Sequence, residues 1–187
     1  MEKKIRSFIA IPLTSPLQQA AASIQELLKP ELPSVRWSRQ ESMHLTLHFF
    51  GDIGDDDLKK AAVVMVSIES LFAPFPLALC GLGAFPGPNR ARVFWLGVQS
   101  EHLVGLYSAL CKKLSAAGFP CEQRPFQPHL TIGRSRGTPQ KAGHILSQLA
   151  TTVAGEMTVD RLVLFESELL PTGARHRPRQ TIFFRAD

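Results

Sequence analysis

The chain has 187 residues, 44% of them hydrophobic and 20% charged, enough for a buried core and unlike a disordered or low-complexity protein. A net charge of +5 is a mild basic excess that suits a polyanionic partner without requiring one. No apolar stretch approaches membrane-spanning length, and the run near the N-terminus is interrupted by Pro12 and gives way to Gln18-Gln19, too short for a secretory leader.

The apolar run Ser7 to Ile11 reads as a first strand. Ser15-Pro16 starts a helix whose inner face is Leu17, Ala21, Ile24 and Leu28, and Pro30 and Pro33 stop it. A strand from Met43 to Phe50 is broken by Gly51, and Asp55 caps a helix carrying Leu58, Ala62, Met65 and Ile68 inward. Phe75 to Leu82 and Arg92 to Val98 are predicted strands around a Gly/Pro loop. A helix with Leu103, Leu106, Leu110 and Leu114 inward ends at Gly118. A strand ending near Arg134 follows, and Thr138-Pro139 opens a helix with Ala142, Ile145 and Leu149 inward. Strands at 158–166 and 180–184 close the chain, joined by a basic loop from Pro171 to Pro178. Strands and helices mix without regular βαβ alternation, so the expected class is α+β, with antiparallel sheets lining a central cleft and helices outside.

Cys80, Cys111 and Cys121 are odd in number and form no C-x-x-C. They are expected to be unpaired small hydrophobes in a reducing compartment, in neither a disulfide framework nor a thiolate zinc site. The expected location is cytoplasmic.

One pattern occurs twice. His44-Leu45-Thr46-Leu47 recurs as His129-Leu130-Thr131-Ile132, 85 positions on (129 − 44). In a strand, alternate side chains share a face, so each motif sets an imidazole and a hydroxyl roughly 6.5–7 Å apart over an apolar back. Phe8 precedes His44 by almost the spacing at which Phe94 precedes His129. The chain therefore reads as one domain, 1–187, with repeat halves near 1–85 and 90–170 and a closing strand at 178–185. Two imidazoles can act as general acid and general base, which suffices to move a phosphoryl group without a metal. Alternation places His48 on the face of His44 and Thr46, at the border of the cleft. His102 and His144 fall on helical patterns and read as surface residues, Phe8 and Trp37 as core.

The stretches His44 to Gly51 and Pro128 to Arg134 resemble the two signature HxTx motifs of the two-histidine phosphoesterases. Within these they are similar to the RNA 2′,3′-cyclic phosphodiesterase branch, also called 2′-5′ RNA ligase. The likeness extends to Arg6-Ser-Phe-Ile-Ala-Ile, Trp37, Arg92 to Gly97 and Leu164 to Leu170, and so covers nearly the whole chain. His176 departs from it, standing where relatives often carry a tyrosine.

The resemblance implies a bilobal fold in which each lobe supplies one His and one Thr. It implies metal-independent hydrolysis of RNA 2′,3′-cyclic phosphate ends to 2′-phosphomonoesters, with His44 as proton donor to the 3′ oxygen and His129 as the base that activates water. Thr46, Thr131 and Arg134 would hold the phosphoryl oxygens. Run in reverse, the site would make a 2′-5′ link without ATP. RNA is the expected partner, with no metal, cofactor, membrane or obligate protein partner, and the chain is expected to be a monomer. Three alternatives stand beside this: a non-catalytic RNA- or nucleotide-binding module, a diesterase for small cyclic nucleotides, and a metal-dependent diesterase using His44, His48 and His129.

Overall fold

The computed structural model describes residues 4–122, 124–170 and 173–185. Its strands are β1 (Ile5–Pro12), β2 (Val35–Trp37), β3 (His44–Ile53), β4 (Phe75–Phe85), β5 (Val93–Gln99), β6 (His129–Ser135), β7 (Val153–Val159), β8 (Arg161–Leu170) and β9 (Gly173–Phe183). The helices are α1 (Ser15–Leu28), α2 (Asp55–Val66), α3 (Leu103–Ala116) and α4 (Gly143–Gln148). The strands form two sheets, β3-β1-β8-β9 and β2-β6-β5-β4-β7, in which every named pair is antiparallel. The α+β fold expected of the sequence is the fold observed.

The sheets do not follow the halves of the chain. β2 and β4 join the sheet that holds the second motif, and β8 joins the sheet that holds the first. The helices cross over as well: α1 packs on β6 and β7, while α2 packs on β8, β9 and α3. The two motif strands, β3 and β6, come into contact where the sheets meet. Buried Leu17, Ala21, Ile24 and Leu28 of α1 and Leu103, Leu106, Leu110 and Leu114 of α3 are the apolar stripes that the 3.6-residue period predicts.

Several boundaries move for local reasons. Gly51 does not end β3: at φ 72° it pairs with Ser7 beside a register shift, and the strand runs on to Ile53. The helix expected at Thr138-Pro139 starts only at Gly143, because Gln140 first bridges Ala91 through two backbone hydrogen bonds of 2.9 Å. The predicted basic loop is mostly strand: Arg175, Arg177 and Arg179 lie on β9. Its first residues, Pro171 and Thr172, lie outside the described residues. Cys111 and Cys121 form a disulfide with Cα atoms 5.8 Å apart, against the expectation of unpaired thiols, because the turn after α3 folds the chain back on the helix. Among the described residues, no helix is long and apolar enough to cross a membrane.

Gln25 is the polar exception on the inner face of α1, at 4% exposure. Its Nε2 donates to the carbonyls of Ser38, at 2.9 Å, and Ile132, at 2.8 Å, and so ties α1 to the residue after β2 and to the middle of β6. Gln25→Leu keeps the bulk and strips a donor from two carbonyls. The expected loss is on the order of 1–3 kcal/mol by chemical denaturation; an unchanged midpoint would show that water replaces the amide without cost.

Candidate active site

Each motif strand carries a β-bulge at the same place. In β3, Thr46 pairs with Ala10 and His48 with the adjacent Ile9, so Leu47 is the extra residue. In β6, Thr131 pairs with Trp95 and Gly133 with the adjacent Phe94, so Ile132 is the extra residue. A bulge shifts the alternation by one, and the side chains beyond it exchange faces. Leu47 and His48 are both buried, as are Ile132 and Gly133, and the cleft face resumes at Phe49 and Arg134. This corrects the placement of His48, which points away from the cleft. It also explains Arg134, which strict alternation from His129 would turn to the buried face of Leu130 and Ile132.

The cleft has a volume of about 520 Å³, and His44, Thr46, His129, Thr131 and Arg134 all line it. Both histidines are held in the same way. His44 Nδ1 lies 2.8 Å from the carbonyl of Ser42, and His129 Nδ1 lies 2.7 Å from the carbonyl of Gln127, each two residues upstream. A carbonyl only accepts, so Nδ1–H donates in both rings and Nε2 is left for a substrate. Aromatic rings support them: His44 stacks on Phe8 at 4.6 Å, and Phe85 meets His129 edge-on at 5.0 Å. Phe8 is thus core, at 3% exposure, and also a wall of the cleft.

His176 is the histidine whose place the sequence did not fix. It lines the cleft from β9, at right angles to His44 and 5.1 Å away. Its Nδ1 is buried without a hydrogen-bond partner. An unpaired buried N–H is the costlier orphan, so the proton is assigned to Nε2, the opposite tautomer to the motif histidines. Sequence reasoning also missed Arg6, Arg36, Arg39 and Phe49 as cleft residues. The guanidinium of Arg6 lies 4.5 Å over the ring of Phe49, which is 48% exposed. Arg36 stands directly opposite Arg134 in the β2–β6 register. No carboxylate is among the described residues that line the cleft.

Burial is the main force on the His44 imidazole; with the charge of His176 it outweighs the Ser42 carbonyl and lowers the pKa to about 4. Burial lowers His176 as well. At neutral pH the free protein therefore holds these two closely packed imidazoles uncharged on the β1–β3–β9 side of the cleft.

The sequence model of the 2′-5′ RNA ligase superfamily matches residues 13–169. The chain is 35% identical over 173 residues to the RNA 2′,3′-cyclic phosphodiesterase of Methanothermobacter thermautotrophicus, covering 91% of this chain and 94% of that protein. It is 34% identical over 170 residues to the protein of the same name from Thermotoga maritima, covering 90% of each. A crystal structure of a Thermus thermophilus protein superposes with a TM-score of 0.83 at 25% identity, over 98% of this chain and all of that one.

The His44–His176 contact sets a direction that can be measured. Burial remains the larger cause, but replacing His176 by Gln removes an imidazole whose protonation at low pH opposes that of His44, so the His44 pKa is expected to rise. Following the imidazole C–H signals of His44 by NMR between pH 3 and 8 reads this directly; an unmoved or lowered pKa in His176→Gln would mean that the two rings do not interact electrostatically.

Proposed function

The chain belongs to the 2′-5′ RNA ligase superfamily, and from its cleft we propose that it is a phosphodiesterase that opens RNA 2′,3′-cyclic phosphate ends to 2′-phosphomonoesters. The observation that carries this reading is the doubled His-x-Thr site, two imidazoles with Nδ1 tied to a carbonyl and Nε2 left free, each beside a threonine in one cleft. The names of the relatives at 34–35% identity support the substrate class.

In the proposed reaction, His129 Nε2 takes a proton from water as its oxygen attacks phosphorus. The O3′–P bond breaks in line, and protonated His44 Nε2 delivers a proton to O3′, leaving a 3′-hydroxyl and a 2′-phosphate. Thr46 and Thr131 donate to the non-bridging oxygens, and Arg134 offsets the charge that grows on them. With a 5′-hydroxyl in place of water, the same displacement gives a 2′-5′ diester without ATP. The mechanism requires no metal, and the lack of carboxylates among the described lining residues suits that. His48, which the metal-dependent alternative needed, faces away. The reading carries with it a cytoplasmic site of action on RNA.

The proton-donor role must be squared with a His44 pKa near 4 in the free protein. A bound phosphodiester brings one negative charge next to the ring, which favours the imidazolium. The donor limb, where activity falls as pH rises, should therefore lie at higher pH in kcat, which reports the complex, than in kcat/KM, which reports the free enzyme. A rising limb in kcat/KM near pH 4 that His44→Ala abolishes would give His44 the role of base instead.

The charge of the cleft supports a polyanion over a mononucleotide. Arg6, Arg36, Arg39 and Arg134 line it, and like charges directly opposite one another, as Arg36 and Arg134 are, repel until an anion lies between them.

In excess chelator, with an oligonucleotide ending in a 2′,3′-cyclic phosphate, His44→Ala and His129→Ala should each lose about 10²–10⁴ in kcat, and the double variant little more. Thr46→Val or Thr131→Val should cost up to ~10²–10³ and Thr→Ser far less; a 3′-phosphate product or a requirement for metal would reject the reaction. Arg36→Ala should raise KM for the oligonucleotide, flatten its salt dependence by about one unit of slope and stabilise the free protein by ~0.2–1 kcal/mol. Neutralising Arg175, Arg177 and Arg179 should change KM little, because they lie beside Glu166 and Glu168 outside the cleft; the opposite ranking would move the RNA track to the β8–β9 hairpin.

A further inference from the structure

On the side of β3 turned away from the cleft, three donor atoms without a part in the phosphodiesterase chemistry lie together. His48 Nδ1 is 3.6 Å from Cys121 Sγ, and these two atoms and Cys111 Sγ all fall within 4.8 Å of one another. His48 is buried, between the sulfur and the ring of Phe50. Sulfur is a weak hydrogen-bond partner, so this imidazole is poorly satisfied where a soft cation would satisfy it fully. Two thiolates and one imidazole form a zinc-type donor set, with a fourth position open to water. With metal–sulfur bonds of ~2.3 Å and metal–nitrogen bonds of ~2.1 Å, a tetrahedral site spaces sulfur from nitrogen by ~3.6 Å. His48 and Cys121 already have that spacing.

We propose that His48, Cys111 and Cys121 form a redox-gated site for a thiophilic divalent cation of the zinc class. In the oxidised state the two sulfurs are bonded to each other. A dithiol reductant opens that bond: it supplies two electrons and two protons, closing into its own disulfide, and Cys111 and Cys121 become thiols. The cation then displaces one proton from each thiol and gains His48 as a third ligand. Cα atoms 5.8 Å apart allow either state by side-chain rotation. The site joins three parts of the chain: Cys111 is on α3, Cys121 on the segment that leads into β6, and His48 on β3. Bound metal would clamp the approach to one motif strand against the back of the other. None of the three residues lines the cleft, so the site stands or falls independently of the proposed reaction.

The test uses the whole protein, reduced with a phosphine under argon and titrated with Co²⁺. One equivalent should bind, with a thiolate-to-cobalt band in the near ultraviolet and the intense visible bands of tetrahedral Co²⁺. Cys121→Ser and Cys111→Ser should lose the thiolate band, His48→Ala should weaken binding by about tenfold or more, and Cys80→Ser should change nothing. A readout that needs no variant accompanies this: Zn²⁺ should protect Cys111 and Cys121 from alkylation, mapped by peptide mass spectrometry, while Cys80, a free cysteine, stays reactive. Reduced protein that gives no thiolate band and no selective protection would overturn the site, as would cobalt bands that persist in the oxidised protein or in both serine variants.

Discussion

The site depends on one backbone irregularity used twice. After His-x-Thr, each motif strand inserts a residue, Leu47 or Ile132, and the exchange of faces that follows determines which side chain joins the cleft. Without it, the buried positions 48 and 133 would face the substrate and positions 49 and 134 would face the core. The second bulge is visibly braced: the Ile132 carbonyl accepts from the backbone N–H of Ser38 at 2.9 Å and from Gln25 Nε2 at 2.8 Å. Gly133 is also required there, since a Cβ would come within 2.7 Å of Val35 and 2.9 Å of Trp37. The edge strand β2 thus presses onto the bulge and brings Arg36 to face Arg134.

From that shared geometry the two sheets diverge. The same bulge delivers an arginine in one and a phenylalanine in the other, where Arg6 restores a cation by lying over the ring. The histidines share a tautomer but not an environment: His44 is packed among Phe8, Phe165 and His176, whereas His129 meets Phe85 and Trp95. A repeated strand geometry with unequal surroundings sets two chemically identical groups in different environments, which suits the proposed acid–base pair.

Much of this was legible in the sequence. Alternation within His44 to Thr46 and His129 to Thr131 is local, and the apolar stripes of α1 and α3 are periodic, so both survive folding unchanged. The bulges were not legible, because strict alternation is the default and nothing in Leu47-His48 or Ile132-Gly133 marks an inserted residue except, in hindsight, the glycine. The cysteine pair was missed because the spacing rules look for C-x-x-C, whereas here a helix end and its turn bring Cys111 and Cys121 together and a distant strand supplies His48. Gln25 was invisible for a similar reason: on a helical wheel it is a flaw in an apolar stripe, and only the two carbonyls it meets explain it.

The basic residues carry the same lesson about context. A run reading Gly-Ala-Arg-His-Arg-Pro-Arg looks like a flexible charged loop, because proline, glycine and repeated charge rarely build a strand. It forms β9 because β8 offers a matching edge and acidic partners: Glu168 lies 2.6 Å from Arg175 and 3.8 Å from Arg177, and Glu166 lies 3.6 Å from Arg179. Such exposed pairs contribute little energy, but they set where the net charge remains. The hairpin offsets its own charge, while the cleft gathers Arg6, Arg36 and Arg134 with no carboxylate among its described lining residues. A modest excess spread along the sequence becomes a concentrated field in the cleft, and alternation along β9 adds the last element: the arginines turn out to the glutamates while His176, between two of them, turns in beside His44.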